Sequence, residues 1–569
     1  MNAERLLAQF ERISDAPDAI PRLRRFILDL AVRGKLVEQD PEEIDERTFC
    51  RLAPQAKPCD LIPDFWLYVP LAGLLSEDTR NGYSRKPDDA LDGVPILRIS
   101  AGTARPDGLV AEEEFKLISG IDDKLLDQYE VRTGDLLACR FNGNKDYVGR
   151  LSLFRGYLRQ RFIYPDKLIR IRLAEELAEP SFLRWISGAD LVREEIETKC
   201  ATTVGNWGIS AGKLKTCLVP LPPLAEQHRI VAKVDELMAL CDQLEAARQQ
   251  REQGRERLVA ATLQRLNQPA ADPASFRQDA SFALQVLPNL TTTPAQIKQL
   301  RQTILNLAVR GKLVEQDPED EPAVELLKEI QARFRRLRIA KKLVPLETKE
   351  IPFALPDRWR WTRLGVICEK TGSGSTPRGG KEAYSETGIP FLRSQNIYND
   401  GLRLADVVFI DTKTHERMTG TRVLPCDLLL NITGGSIGRC AKVPVDFEEA
   451  NVSQHVAILR VGLPGVEDFL HVLVLSPYFQ SFVDDSQTGA GRGGLPKNRM
   501  DAIPIPLPPL AEQHRIVAKV DELMALCDQL EQQLSQADQQ RRRLLEAVLA
   551  EALGGRLSTE QEESHAAIA

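Results

Sequence analysis

Apolar positions along the chain follow two different rhythms. After Pro222-Pro223, residues Ile230, Val234, Leu237, Cys241 and Leu244 step by three and four, one stripe of an amphipathic helix. The stripe resumes at Val259, Leu263 and Leu266, so a single helix is predicted over 224–267, about 65 Å long at about 1.5 Å per residue. A second long helix is predicted over 510–553, its stripe resuming at Leu544, Leu545, Val548 and Leu549. Shorter helices are predicted over 21–36 and 298–313, with Gly34 and Gly311 as C-caps. In the centres, 60–219 and 353–505, short β-rich runs such as Leu168–Leu173 and His455–Arg460 alternate with Gly, Pro, Asn and Asp turns, and with helices over 181–197 and 466–484. The fold class is therefore mixed α/β (α+β): two globular α/β domains joined by paired long antiparallel, coiled-coil-like helices.

An internal repeat sets the organisation. Pro220–Glu245 (PLPPLAEQHRIVAKVDELMALCDQLE) recurs letter for letter 286 residues later as Pro506–Glu531, and Leu30–Glu42 (LAVRGKLVEQDPE) recurs 277 residues later as Leu307–Glu319. Weaker matches keep the same order: Ile62–Trp66 with Leu355–Trp359, Pro95–Arg98 with Pro390–Arg393, Asp135-Leu136-Leu137 with Asp427-Leu428-Leu429, and Gly205–Ile209 with Gly491–Leu495. Each half has a near-identical frame around a divergent centre. The predicted order is an N-terminal helical region (1–45), a first domain (60–223), a central helical region (224–345) with a linker at 268–296, a second domain (353–509), and a C-terminal helix with its tail (510–569). The second half carries 16 extra residues ahead of its Pro-Asp-x-Trp, with Arg333, Arg335, Arg336, Arg338, Lys341 and Lys342. These read either as a phosphate-contacting helix or as a solvated helix face.

Composition narrows the class. The 569 residues are 43% hydrophobic and 28% charged, with a formal net charge of −7; this weighs against a uniformly basic nucleic-acid binder and leaves local basic surfaces open. Ten cysteines without a single Cys-x-x-Cys point to reduced thiols and no zinc knuckle. Apolar runs are short and the N-terminal stretch is broken by charges, so the expectation is a cytoplasmic protein with no membrane association.

The reagents of an enzyme do not stand out. Neither Pro58-Cys59 nor Pro425-Cys426 follows a glycine-rich cofactor loop, and the Pro-Pro pairs sit at helix entrances. The loop Gly372–Lys381 resembles a phosphate loop at a glance, but Gly380 stands where the lysine is needed and Lys381 where the hydroxyl residue is needed. Six histidines are scattered, His228 and His514 at one repeat position, and His415-Glu416 lacks the second histidine of a zinc site. No catalytic residue and no metal site is assigned.

Polar loops carry the remaining signal. In the first centre the candidates for DNA contact are Asn81, Ser84, Arg85, Lys86, Arg98, Arg140, Asn142, Asn144 and Lys167, within a chain whose segment 159–172 holds five cations and one acid. In the second they are Ser375, Thr376, Arg378, Lys381, Arg393, Gln395, Asn396, Asn431, Thr433, Arg439 and Arg492. Arginine and lysine bridge guanine acceptors, and asparagine and glutamine do so for adenine. A duplicated frame holding divergent polar loops is how two different half-sites would be read. Ile230, Val234 and Leu237, with their copies Ile516, Val520 and Leu523, are the candidate helix-pairing or subunit-interface positions.

The duplicated Leu-Pro-Pro-Leu-Ala-Glu-Gln-His-Arg-Ile-Val junction, the duplicated Leu-Ala-Val-Arg-Gly-Lys-Leu-Val, and Pro95–Arg98, Gly134–Leu137 and Tyr164–Leu168 are where the chain resembles the specificity subunits (HsdS) of type I restriction–modification systems. The resemblance covers essentially the whole chain. It implies two target recognition domains on double-stranded DNA, each reading half of an asymmetric bipartite site, with the helices acting as a ruler for the spacer. It further implies docking of two methyltransferase subunits, which hold S-adenosylmethionine, and of restriction subunits, which use ATP and Mg; the chain itself would hold no cofactor. The alternatives are a self-contained DNA methyltransferase or nuclease with diverged motifs, and a helical scaffold that binds proteins.

Overall fold

The computed structural model describes residue 16 and residues 18–553, apart from 89–92, 104, 204, 268–281, 284–285, 287–290, 341–345 and 487–493. Most of the linker predicted at 268–296, the tail after Gly554, and Arg492, Lys341 and Lys342 lie outside the described residues. The chain divides into two compact units, Met1–Arg251 with Ala537–Ala569, and Glu252–Gln536.

The first unit begins with helix α1 (Ala19–Val32). Gly34 follows it at φ +63°, and the Lys35 N–H donates to the Leu30 carbonyl at 3.0 Å, the closure that a left-handed glycine permits. Strands β1 (Leu75–Asn81), β2 (Leu136–Cys139) and β3 (Leu168–Leu173) form, with Leu151–Leu153, an antiparallel sheet in which β3 lies between β1 and β2. A second four-stranded sheet holds Val94–Leu97. A two-stranded ribbon, Leu67–Pro70 against Leu218–Leu221, leads into helix α2 (Leu224–Asn267). Alternate sheet residues Leu136, Ala138, Ile169 and Ile171 share one core with Phe182 and Ile186, with Leu28 and Ala31 of α1, and with Ile230, Val234 and Met238 of α2.

The second unit repeats the plan with α3 (Pro294–Val309), β4 (Cys368–Ser373), β5 (Leu428–Asn431), β6 (Val456–Val461) and α4 (Leu510–Leu553). Here β6 lies between β4 and β5. Thr293 caps α3 in a capping box with Gln296 and Pro294 takes the first turn, where its missing N–H is harmless. Ile516 and Val520 pack with Ile297, Ile304, Trp359 and Phe469. Within this unit Leu307 of α3 also meets Val259, Leu263 and Leu266 of α2, and within the first unit Ala19 meets Leu545 and Val548 of α4. Each unit thus contains the start of one long helix and the end of the other.

Two single helices predicted in the centres are each two helices, Pro180–Ile186 with Asp190–Lys199, and Val466–Leu475 with Pro477–Asp485. Pro477 lacks the N–H needed to continue the first of the second pair, and the Ser476 side chain accepts from the Phe479 N–H to start the next. Part of the 16-residue insertion lengthens one helix, from 7 residues to 14. Ala323–Arg336 stands where the first unit has Glu46–Leu52, and its Ala323, Leu326, Ile330 and Phe334 are buried.

The duplication extends to individual contacts. Arg24 pairs with Asp242 and Glu245, and Arg301 with Asp528 and Glu531. Arg229 pairs with Glu43, and Arg515 with Asp320. The Trp66 indole donates to Glu226 at 3.0 Å, and Trp359 to Glu512 at 2.9 Å. Gln227 and Gln513 each donate to the carbonyl of the first proline of the junction, at 2.9 Å in both units.

One frame position differs in a way that has a cost. Asp29 is buried and accepts from the Asp190 N–H at 2.7 Å; burial, with the charge of Asp190 nearby, pushes its carboxyl up to about 6. The repeat places Asn306 at the same position in the second unit, where it accepts from Arg310. A carboxyl raised above its unfolded value favours the protonated form, so Asp29 costs least below its unfolded pKa and stability is lost as pH rises through about 6. Asp29→Asn keeps the acceptor and removes the charge. It is expected to stabilise the first unit by about 1–3 kcal/mol near pH 8 and to change little near pH 4, measured as the urea midpoint at each pH.

Candidate nucleic-acid interface

In an antiparallel sheet the loops that leave alternate strands gather at the same end. In the first unit the end marked by Asn81, Cys139 and Leu168 carries three of them, since Ile169 pairs with Asn81 and Leu168 with Cys139. Asn81 ends β1 and Ser84, Arg85 and Lys86 follow it, all four exposed. Arg140, Asn142 and Asn144 follow β2, and Lys167 immediately precedes β3. The Arg140 guanidinium lies 4.8 Å from the centre of the Phe141 ring and the Lys167 ammonium 5.0 Å from it. Arg98 is exposed on the second sheet, ahead of the turn Ile99–Gly102.

Much of the local chemistry is spent inside the protein. Arg140 donates to the Asp166 carbonyl, and the side-chain oxygens of Asn142 and Asn144 accept from the N–H groups of Asn144 and Asp146. Arg85 pairs with Asp88. The cation-rich stretch 159–172 is largely neutralised: Arg161 pairs with Asp127 and Glu130, Arg170 with Glu77, and Arg172 with Glu77 and Asp135.

The second unit gathers its loops at the corresponding end, where Ser373 pairs with Ala457 and Asn431 with Val456. Ser375, Thr376 and Arg378 are exposed after β4, and Lys381 lies in the following turn at Gly380–Ala383. Gly374 is fixed by its surroundings, since a Cβ there would meet the Val452 carbonyl oxygen at 1.8 Å. Thr433 is half-buried after β5, and Arg439 is exposed at the end of the same loop. Asn431 and Asn396 are buried. Asn431 donates to the Ser394 carbonyl and the Ser436 hydroxyl, and Asn396 donates to the Arg403 carbonyl while accepting from the Arg393 N–H. These two amides shape the loops that carry Arg393 and the exposed Gln395.

Three features at this edge were not legible in the sequence. Tyr398 lies between Arg439 and Arg403, at 4.8 and 5.1 Å from ring centre to guanidinium. In the first unit, strand pairing of Phe141-Asn142 with Trp207-Gly208 brings the antiparallel strands Ala201–Thr203 and Asn206–Gly208 beside the Arg140 loop, with Lys145 5.0 Å from the Trp207 ring centre. Gln454 and His455 stand exposed just ahead of β6. All three depend on partners distant in sequence.

Ile230, Val234 and Leu237, with Ile516, Val520 and Leu523, point into the core of their own unit, the two leucines partly buried. Among the described residues, no group of three or more His, Cys, Asp or Glu could hold a metal ion, and no helix is long and apolar enough to cross a membrane.

Comparison with known proteins places this architecture. Residues 356–537 match the family described as the Type I restriction modification DNA specificity domain. The chain is 26% identical to the EcoAI specificity subunit of Escherichia coli, over 93% of both chains, and 26% identical to the EcoEI specificity subunit of the same organism, over 94% of both. It also matches, at a TM-score of 0.50 and 19% identity, a chain solved in work on complex assembly and conformational transition of the type I R-M system, covering 86% of this chain and 98% of that one. Residues 356–537 thus carry the type I DNA specificity domain, and over nearly its whole length the chain is similar to specificity subunits of type I restriction–modification systems.

Proposed function

We propose that this chain selects the DNA sequence on which a type I restriction–modification complex acts, each unit reading one half of a bipartite target. The observation that supports this reading most is the pairing of frames that repeat the same contacts with loops that differ, each set of loops leaving the corresponding end of equivalent sheets in the two units. Identical partners can dock on identical frames, while different loops select different bases. On this reading the partners are double-stranded DNA, two methyltransferase subunits and restriction subunits, with S-adenosylmethionine, ATP and Mg bound by those partners. The chain itself positions and selects, and is not an enzyme.

The test is a map of N6-methyladenine in a host otherwise free of it, with this chain co-expressed with its methyltransferase and the methyltransferase alone as control. A split, asymmetric motif that requires this chain is expected; an assembled, soluble complex that gives no new methylation would overturn the proposal. Within that assay, replacing Arg98 or Arg140 by alanine is expected to weaken recognition of one half-site about tenfold or more, and replacing Arg393 or Arg439 the other. Competition binding with duplexes altered in one half at a time measures it.

A further inference from the structure

We infer that Gln454 is a base-reading residue of the second unit, held in its reading position by His455 and Thr433. The inference rests on the proposed function and deepens it.

It starts from register. In the first unit the Leu168 N–H donates to the Pro165 carbonyl at 3.0 Å, closing a tight turn with Asp166 and Lys167 as its central residues. In the second, the Val456 N–H donates to the Ser453 carbonyl at 3.1 Å, and the central residues are Gln454 and His455. Leu168 pairs with Cys139 and Val456 with Asn431, so the two turns occupy the same corner of equivalent sheets. His455 therefore stands where the first unit has Lys167, a residue selected from the sequence for DNA contact. The sequence hides the equivalence because Tyr-Pro-Asp-Lys and Val-Ser-Gln-His share no letter.

The side chains are organised. The Ile432 N–H donates to the His455 carbonyl at 3.0 Å and holds the turn against the loop after β5. His455 Nδ1 lies 2.6 Å from Thr433 Oγ1, and His455 Nε2 lies 3.4 Å from Gln454 Nε2. An amide nitrogen always carries hydrogens, so the neutral ring accepts at Nε2 and carries its proton on Nδ1, which donates to the Thr433 hydroxyl. One amide hydrogen of Gln454 is then used internally, leaving its other hydrogen and its Oε1 available. A side-by-side donor and acceptor is the pattern that matches N7 and N6 of adenine in the major groove. Both Gln454 and His455 are exposed, as base contact requires. Thr433 and His455 act as positioning residues, through Gln454.

The experiment uses the assembled complex and duplexes built on the motif that the parent complex methylates, each altered at one base pair. For Gln454→Ala, discrimination at one or two adjacent base pairs of the second half-site is expected to fall about tenfold to a hundredfold, with the first half-site unchanged. Gln454→Glu, which can only accept, is expected to shift preference at that position toward cytosine. Thr433→Val is expected to relax discrimination at the same base pair by a smaller factor. Loss spread evenly over all positions, or unchanged discrimination in Gln454→Glu, would overturn the inference while leaving the proposed function standing. A parent complex that methylates no split motif would remove both.

Discussion

Replacing Asp427 by alanine is expected to destabilise the second unit by about 3–5 kcal/mol, the cost of removing one partner from a buried ion pair. Asp427 is 1% exposed, and its two oxygens accept from Nε and one terminal nitrogen of Arg460, both at 2.8 Å. One oxygen also accepts from the Leu424 N–H at 2.7 Å and closes the turn that feeds β5. Arg460 lies on β6, so this carboxylate ties the central strand of the sheet to the turn before its neighbour. Alanine removes all three bonds and leaves the Arg460 guanidinium, whose side chain is 21% exposed, with its bond to the Arg422 carbonyl but without this carboxylate. The first unit contains the same device, Asp135 accepting from Arg172 and from the Arg132 N–H. There Glu77 also pairs with Arg172, so Asp135→Ala is expected to cost less than Asp427→Ala. The urea midpoints of the two variants against the parent check the order. Replacing Asp427 and Arg460 together by Leu and Met should recover most of the loss, because two matched apolar groups leave no orphaned charge.

This pair marks where sequence reading ends. Both aspartates were visible as a repeated Asp-Leu-Leu, yet neither arginine could be assigned to them, because Arg172 and Arg460 are 37 and 33 residues away and come into reach only through strand pairing. The long helices were legible to the residue, since periodicity is a local property that 44 residues repeat many times. The polar loops were legible as loops, but exposure was not. Asn396 and Asn431 have the right chemistry for adenine and are buried in their own turns, whereas Gln454 and His455 stand in the open at a position that only register reveals.

The tryptophan that joins each domain to its long helix should be nearly as sensitive, and in a pH-dependent way. Trp359 is 1% exposed, packs edge-on against Phe469, and donates to Glu512, which is 1% exposed in the first turn of α4. Gln316 supplies the other donor, at 2.6 Å. Burial pushes the Glu512 carboxyl above its ordinary range, opposed by these two hydrogen bonds. A group raised in the folded state favours folding most when protonated, so its contribution falls as pH rises through the folded pKa. Trp359→Ala is expected to cost about 3–5 kcal/mol by opening a cavity at the junction. Trp359→Phe retains most of the ring but deletes the indole N–H, leaving the carboxylate with a single donor and pushing its pKa further up. Its loss relative to the parent should therefore grow with pH, being small near pH 4 and about 1–3 kcal/mol near pH 8. Urea midpoints of parent and variant at the two pH values decide it: a deficit independent of pH would mean that the indole acts by packing alone and that its bond to Glu512 contributes little.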